Sequence, residues 1–344
     1  MDAASAASLL RLVEEARGRS RASGDASPLD DVGARYPALL EAMDWFLEQS
    51  RTDEAYRLAS ALVPFWLATK RIDDGDRWFT AALDKPGASE LRGARALYDH
   101  GYLVFWAGQY DVASERFADA RARARAVGDA DLEALALAGS ARVELTRNVQ
   151  GAILLLREAI DATATVPDSP GRSSAMHVLG VALQMSGDLH GAREVMGARL
   201  KHGRELGDRS IVYIESANLS MVERRLGNFA RAEALSRDAL RIVWDRRDQM
   251  AIPWVINGLA AVTAAKSQPE RAAILLGIAE NLLARAGGEW PPDEREQHDG
   301  TFAQLAKALR PDALERHRGT GAAMGLQAGV AFALADDAGG GEAT

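Results

Sequence analysis

Apolar side chains recur along the chain in sets spaced by four and then three residues, the interval that places them on one face of an α-helix. Alanine marks the pattern best, at Ala113, Ala152, Ala192, Ala232 and Ala272, each 39 or 40 residues from the last. Seven positions later stand Ala120, Ala159, Ala239 and Ala279, with Arg199 as the exception. Four positions after each marker come Phe117, Leu156, Met196, Ser236 and Leu276. Twelve positions before it every residue is small: Gly101, Ser140, Gly180, Ser220 and Ala260. A weaker copy precedes these, with Gly75, Phe79 and Ala82 in the corresponding columns.

Small residues on facing helices let the two approach closely, and turns such as Ala107-Gly108-Gln109, Ser186-Gly187-Asp188 and Leu226-Gly227-Asn228 fall between them. Each copy therefore predicts a helix–turn–helix hairpin. An acid recurs between copies at Asp129, Asp168, Asp208 and Asp248, usually after Gly128, Pro167 or Gly207. This reads as a glycine closing one helix and an Asp N-cap opening the next. The pattern resembles the tetratricopeptide repeat, stretched to about 40 residues, and implies an all-α, right-handed α-solenoid of stacked hairpins. Units are expected at 35–85, 87–127, 129–166, 169–206, 208–246 and 248–287.

Outside the array, residues 1–34 read as an amphipathic helix through Leu9, Leu10, Leu12, Val13 and Ala16, then a linker from Arg21 to Asp31. Residues 288–335 read as closing helices, one over Asp293–Leu309 and one more over Gly319–Ala335, with a disordered tail at 336–344.

Composition narrows the chemistry. The hydrophobic set makes up 47% of the 344 residues but aromatics only 6%, a balance that favours helices. There is no cysteine, which excludes disulfides, zinc–thiolate sites, iron–sulfur clusters and thiol nucleophiles. The net charge of −8 has the wrong sign for a whole-chain binder of nucleic acid or anionic membranes, and suits a soluble cytoplasmic protein. The first residues carry an acid where an export signal needs positive charge, and the longest low-charge run, Ala322 to Ala335, falls short of the roughly 20 residues that span a bilayer. None of the five lysines sits in a phosphate-binding loop, and the six histidines show no helical metal-pair spacing. Most of the histidines are expected at the surface or partly packed. Gly319-Thr-Gly321-Ala-Ala-Met-Gly325 resembles a dinucleotide fingerprint only superficially, because no strand is predicted before it and its third glycine comes one position late. No cofactor, metal ligand set or catalytic group is assigned.

The binding face is expected on the inner, concave side, where helical-hairpin solenoids generally bind. With the small residue of each first helix taken as position eight, positions two, five, six, nine and twelve point inward. These columns supply Tyr98 and Tyr102, Glu144, His177 and Gln184, Asn218 and Arg224, and Trp254 and Asn257 as candidate ligand contacts.

Three segments carry a further resemblance. Tyr36-Pro-Ala-Leu-Leu-Glu-Ala-Met-Asp-Trp45-Phe-Leu with Phe65-Trp66 and Asp76-Arg77-Trp78-Phe79 looks like the entry to the C-terminal repeat region of LuxR- and AfsR-type bacterial ATP-dependent transcriptional regulators. Pro269 through Gly277 to Gly288, and then Pro292 to Arg295 with Gly325 to Leu334, are similar to the end of that region. The resemblance implies a sensor and interaction platform whose family partners, an ATPase switch and a helix-turn-helix DNA reader, are absent from this sequence. The expected function is a non-enzymatic scaffold that binds a protein segment or small-molecule effector on the concave face. Its larger partner would be a separate ATPase or DNA-binding regulator subunit, with no direct contact to nucleic acid or membrane. Two alternatives stand behind it: direct DNA binding inherited from the family, and an enzyme using His177 with Glu144 or Arg224.

Overall fold

The computed structural model describes residues 1–23, 28–83, 85–290 and 292–335, so the tail expected at 336–344 and part of the expected linker lie outside the described residues. Eighteen α-helices make up the regular structure of these residues. The chain divides into two compact units, Met1–Val195 and Met196–Thr344. The first holds α1 (Ala3–Ser23), α2 (Pro28–Ala34), α3 (Tyr36–Glu48), α4 (Thr52–Ala68), α5 (Ile72–Leu83), α6 (Glu90–Trp106), α7 (Tyr110–Ala126), α8 (Ala130–Glu144), α9 (Val149–Ala162) and α10 (Pro170–Ser186). The division falls within α11 (Leu189–Leu206). The second holds α12 (Arg209–Arg225), α13 (Phe229–Asp245), α14 (Ala251–Ala265), α15 (Pro269–Arg285), α16 (Pro292–Ala308), α17 (Pro311–Ala322) and α18 (Leu326–Leu334).

Helix ends follow a half-repeat of 20 residues. A residue in the left-handed region closes a helix at Gly108, Gly128, Asp168, Gly187, Gly207, Gly227, Arg247, Ser267 and Gly287. Glycine is the residue that enters this region without strain, which explains its recurrence at the turns. Three of the four recurrent acids open the next helix as expected: Asp129 accepts from the Leu132 amide, Asp208 from Ser210 and Ile211, and Asp248 from Ala251. Asp168 differs. It takes the left-handed turn itself, and Ser169 caps α10 by accepting from the Arg172 amide.

Within each unit, consecutive helices pack as antiparallel hairpins, and the first helices of successive hairpins also pack on one another: α4, α6, α8 and α10 in the first unit, α12, α14 and α16 in the second. The marker alanines at 113, 152, 192, 232 and 272 are all fully buried, as are Phe117, Leu156, Met196 and Leu276. A side chain on Gly101 would begin 3.0 Å from the Phe117 ring. In the next unit the closest approach falls one residue before the expected column: a Cβ on Gly139 would lie 2.5 Å from the same ring, while Ser140 is half-buried.

At the N-terminus, α1 buries Ala6, Leu10, Val13 and Ala16 and packs on α2, α3 and α4. Residues 28–34, expected within or beside the linker, form α2. Behind these helices Trp66 donates to the Tyr36 hydroxyl at 2.9 Å, which donates in turn to Asp74. At the C-terminal end there are three helices where two were expected. α16 packs on α14, and α17 lies on α15 with backbones in contact: a Cβ on Gly321 would meet the Ile274 carbonyl at 2.0 Å, and one on Gly277 the Arg318 carbonyl at 2.1 Å. Gly321 thus serves helix packing within α17.

Two polar residues are built into the core. His100 is fully buried, stacked on Phe79 with ring centroids 5.3 Å apart and bonded through Nε2 to Asp76 at 2.8 Å. Burial, ahead of the Asp76 bond that opposes it, depresses its pKa. Arg199, the exception in the alanine column, is itself buried because it pairs with Glu215 on α12, a carboxylate with no solvent exposure. A buried carboxylate left alone is far costlier than the pair.

Arg199→Ala is therefore expected to destabilise the chain by about 3–5 kcal/mol in denaturant unfolding, and Arg199→Ala/Glu215→Leu to recover most of that loss. A double variant as unstable as the single would refute the pairing account. Ser267→Gly, which relieves a left-handed non-glycine at φ 60°, should raise stability by about 0.5–1 kcal/mol.

Candidate ligand-binding site

Besides Arg199, the packing code fails in the second unit at Ser236, beside a cavity. Where other units put Phe117, Leu156, Met196 or Leu276 against the first helix, this one has Ser236. Its hydroxyl hydrogen-bonds that of Ser220 at 2.7 Å, and the Ser220 hydroxyl also lies 2.8 Å from the Ala232 carbonyl. This ties the hairpin together without filling the space. The cavity left is about 160 Å³ in volume, bordered by α12 through Tyr213, Ile214, Ala217, Asn218 and Met221, by Ser236 of α13, by α14 through Ala251, Trp254, Val255 and Gly258, and by α16 through Glu294 and Gln297. Apolar walls with a few polar groups are the usual make-up of a ligand pocket.

The polar groups are unevenly satisfied. The Trp254 indole Nε1 and the Gln297 Oε1 are shielded from solvent and have no hydrogen-bond partner among the described residues. Buried polar groups are nearly always paired, and these two exceptions belong to residues that border the cavity. Glu294 is held in place by the Asn257 amide, whose Nδ2 donates to its Oε2 at 2.8 Å and to its carbonyl at 3.1 Å, and by Gln297 Nε2 at 3.3 Å.

Of the residues singled out from sequence, Asn218 and Trp254 meet in this cavity. Asn257 is fully buried and spends its amide on Glu294, so it positions that carboxylate rather than lining the cavity. Arg224 lies half-buried in the last turn of α12, outside the cavity lining; burial first and then Arg225 depress its pKa. In the first unit Tyr98 and Tyr102 lie 6.3 Å apart on α6, in a row that ends at Trp106, 55% exposed. Tyr98 is half-buried against Phe117, and burial raises its pKa. Glu144 closes α8, and His177 and Gln184 are half-buried on α10.

Sequence reasoning passed over Ser236, Glu294 and Gln297. The signal for Ser236 was its place in a column of large apolar residues. For the other two it was the 40-residue period carried past residue 287, since Glu294 stands 40 positions after Trp254 and Gln297 40 after Asn257.

α16 is itself locked down beside the cavity. His298 stacks on Trp290 with centroids 5.3 Å apart, and its two ring nitrogens face carboxylates, Nε2 to Glu280 of α15 at 2.8 Å and Nδ1 to Asp299 at 2.9 Å. Arg318 of α17 binds both oxygens of Glu280 at 2.7 Å. Two acceptors around one ring require both nitrogens to carry protons, and the Glu280 bond, against the cost of burial, raises the His298 pKa. Burial alone would raise Glu280, but the bonds from His298 and Arg318 outweigh it and lower its pKa.

Comparison with known proteins gives the fold. The tetratricopeptide repeat family model matches residues 217–243, from within α12 to within α13. Among solved structures, a signal transduction ATPase with numerous domains and a tetratricopeptide repeat sensor, from Pyrococcus horikoshii, superposes with a TM-score of 0.55 at 11% identity over 84% of this chain and 48% of that one. The chain thus spans about half of that protein. A Rap protein complexed with Competence and Sporulation Factor gives 0.52 at 17% identity over 92% and 95% of the two chains. NprR in complex with its cognate peptide NprX gives 0.51 at 14% identity over 90% and 85%. No curated protein sequence matches the chain. At these identities the likeness is one of architecture: an all-α stack of tetratricopeptide-like hairpins. Among the described residues no helix is long and apolar enough to cross a membrane.

The His298 lock predicts a pH dependence. A raised histidine pKa gives stability that is complete below about pH 6.5, its ordinary value, and is lost as pH rises through the folded-state pKa. The melting-temperature difference between wild type and His298→Gln should therefore be largest near pH 6 and shrink toward pH 8.5. A difference that stays constant over that range would show that the charged ring contributes nothing. The lowered Glu280 pKa acts at the other end, its contribution being lost only as the carboxyl protonates in acid.

Proposed function

We propose that this chain is a non-enzymatic binding module, the sensor or interaction part of a bacterial transcriptional or signalling regulator. Its ligand is a protein segment or small-molecule effector. The observation that carries the reading is the cavity opened by Ser236, with its apolar walls, the unpartnered indole donor of Trp254 and the unpartnered acceptor of Gln297. A volume of about 160 Å³ accommodates one large apolar side chain or a compact effector, and a single anchored group of this kind can supply most of the affinity of a short segment. Asn218 supplies an amide beside it, and Asn257 fixes Glu294. Tyr98, Tyr102, Glu144, His177, Gln184 and Arg224 are proposed as further contacts on the faces of their first helices.

The fold likeness to proteins whose structures were solved with NprX or with Competence and Sporulation Factor supports this reading. So does the resemblance to the repeat region of LuxR- and AfsR-type regulators, which makes a separate ATPase or DNA-binding subunit the expected partner and the cytoplasm the expected location. In this scheme residues 35–287 form the binding array and 288–335 close it.

Selection of a displayed library of random peptides on the purified full chain tests the reading. The enriched sequences should share one large apolar residue. Ser236→Leu, which restores the packing column, should weaken their binding by about tenfold or more while leaving the melting temperature unchanged or higher, and Trp254→Ala should weaken it comparably. Selected peptides that bind both variants as tightly as wild type would remove the cavity from the binding site.

A further inference from the structure

A second cavity, of about 350 Å³, lies in the first unit between α1, α4 and α6, and its chemistry is the reverse of the first. Four arginines border it: Arg17 from α1, Arg57 from α4, and Arg92 and Arg95 from α6. Among the described residues the one carboxylate in its lining is Glu14. In a chain whose net charge is −8, this concentration of guanidinium groups around one hollow stands out.

The internal hydrogen bonds hold Arg57 and Arg95 in place without using all of their donors. Arg57 grips Glu14 through Nε at 2.9 Å and Nη2 at 2.8 Å, which pins α1 to α4 and leaves its Nη1 without a partner among the described residues. Arg95 is fixed through Nε by Asp99 at 2.9 Å and lies over the Tyr98 ring at 5.5 Å, so both of its terminal nitrogens remain open among the described residues. Arg17 donates from Nη1 to the Ser60 carbonyl at 2.8 Å. Arg92 is exposed and makes no ion pair or side-chain hydrogen bond within the described residues. Guanidinium groups oriented in advance present their remaining N–H donors to a ligand at little further entropic cost, and the planar fork suits phosphoryl and carboxylate oxygens.

We propose that this cavity binds a small molecule carrying at least two negative charges on oxygen, as a phosphoryl group or as paired carboxylates. The site is built for a compact ligand. Its arginines converge from three helices on one hollow, whereas a nucleic-acid surface spreads them along a stripe on a basic domain. Arg95 stands at position two of its unit, one of the inward columns, so the repeat code placed it on the binding face although it was not singled out. The ligand would bridge α4 and α6 through Arg57, Arg92 and Arg95.

Calorimetric titration of the full chain with pyrophosphate, and separately with citrate, at low salt tests the proposal. Saturable single-site binding of either is expected, and which of the two binds more tightly identifies the group. Arg92→Ala removes no ion pair or side-chain hydrogen bond among the described residues and should weaken binding by about tenfold or more, with the melting temperature of the unliganded protein unchanged. Arg157→Ala, an equally exposed arginine outside the cavity, should bind as wild type does. No saturation by either anion at millimolar concentration, or equal weakening by Arg92→Ala and Arg157→Ala, would overturn the site. Ser236→Leu should leave this binding intact, so its failure and that of the first cavity are told apart.

Discussion

A two-helix hairpin exposes apolar surface on both of its broad sides, so it becomes stable only when another hairpin covers it. Every other feature of this chain follows from how closely neighbours can approach. Alanine at the marker positions and glycine at Gly101, Gly139, Gly277 and Gly321 bring helix axes close enough for side chains such as Phe117 and Ile278 to reach the next helix. At α15 and α17 the two backbones touch. Close packing of this kind tolerates few voids, which is why a departure from the code has local consequences.

The departures from the code change what the interior holds. Arg199 replaces a small residue and is kept in the interior by Glu215, a polar tie between α11 and α12. Ser236 replaces a large apolar residue and leaves a cavity whose open polar atoms belong to Trp254 and Gln297. The second hollow lies between α6 and the place where α1 packs on α4, and arginines border it. Binding surface on a repeat scaffold appears where one unit does not need to fill the space that the others fill.

Much of the architecture was legible because a 40-residue period repeats one packing problem several times, and each solution confirms the next. Asn218 and Trp254 were placed on a common face from their columns alone, and the structure brings both to one cavity. Asn257 shows the limit: the column gives a direction for its Cβ, but the 37-residue reach to Glu294 that buries its amide depends on where α16 lies. Asp168 shows another. An acid after proline reads as a cap, yet the adjacent Ser169 is better placed to bond the Arg172 amide, and the acid is left to make the turn.

The sequence by itself determined the hairpins of the array, their period and most of their capping residues, because these depend on local spacing and on side-chain size. Only the tertiary structure decided where open space is left between the helices. Cavity volume, the pairing of Arg199 with Glu215, the bond of His298 to Glu280 and the convergence of Arg17, Arg57, Arg92 and Arg95 all depend on contacts between different helices. Such contacts leave no periodic trace in the chain, since each occurs once.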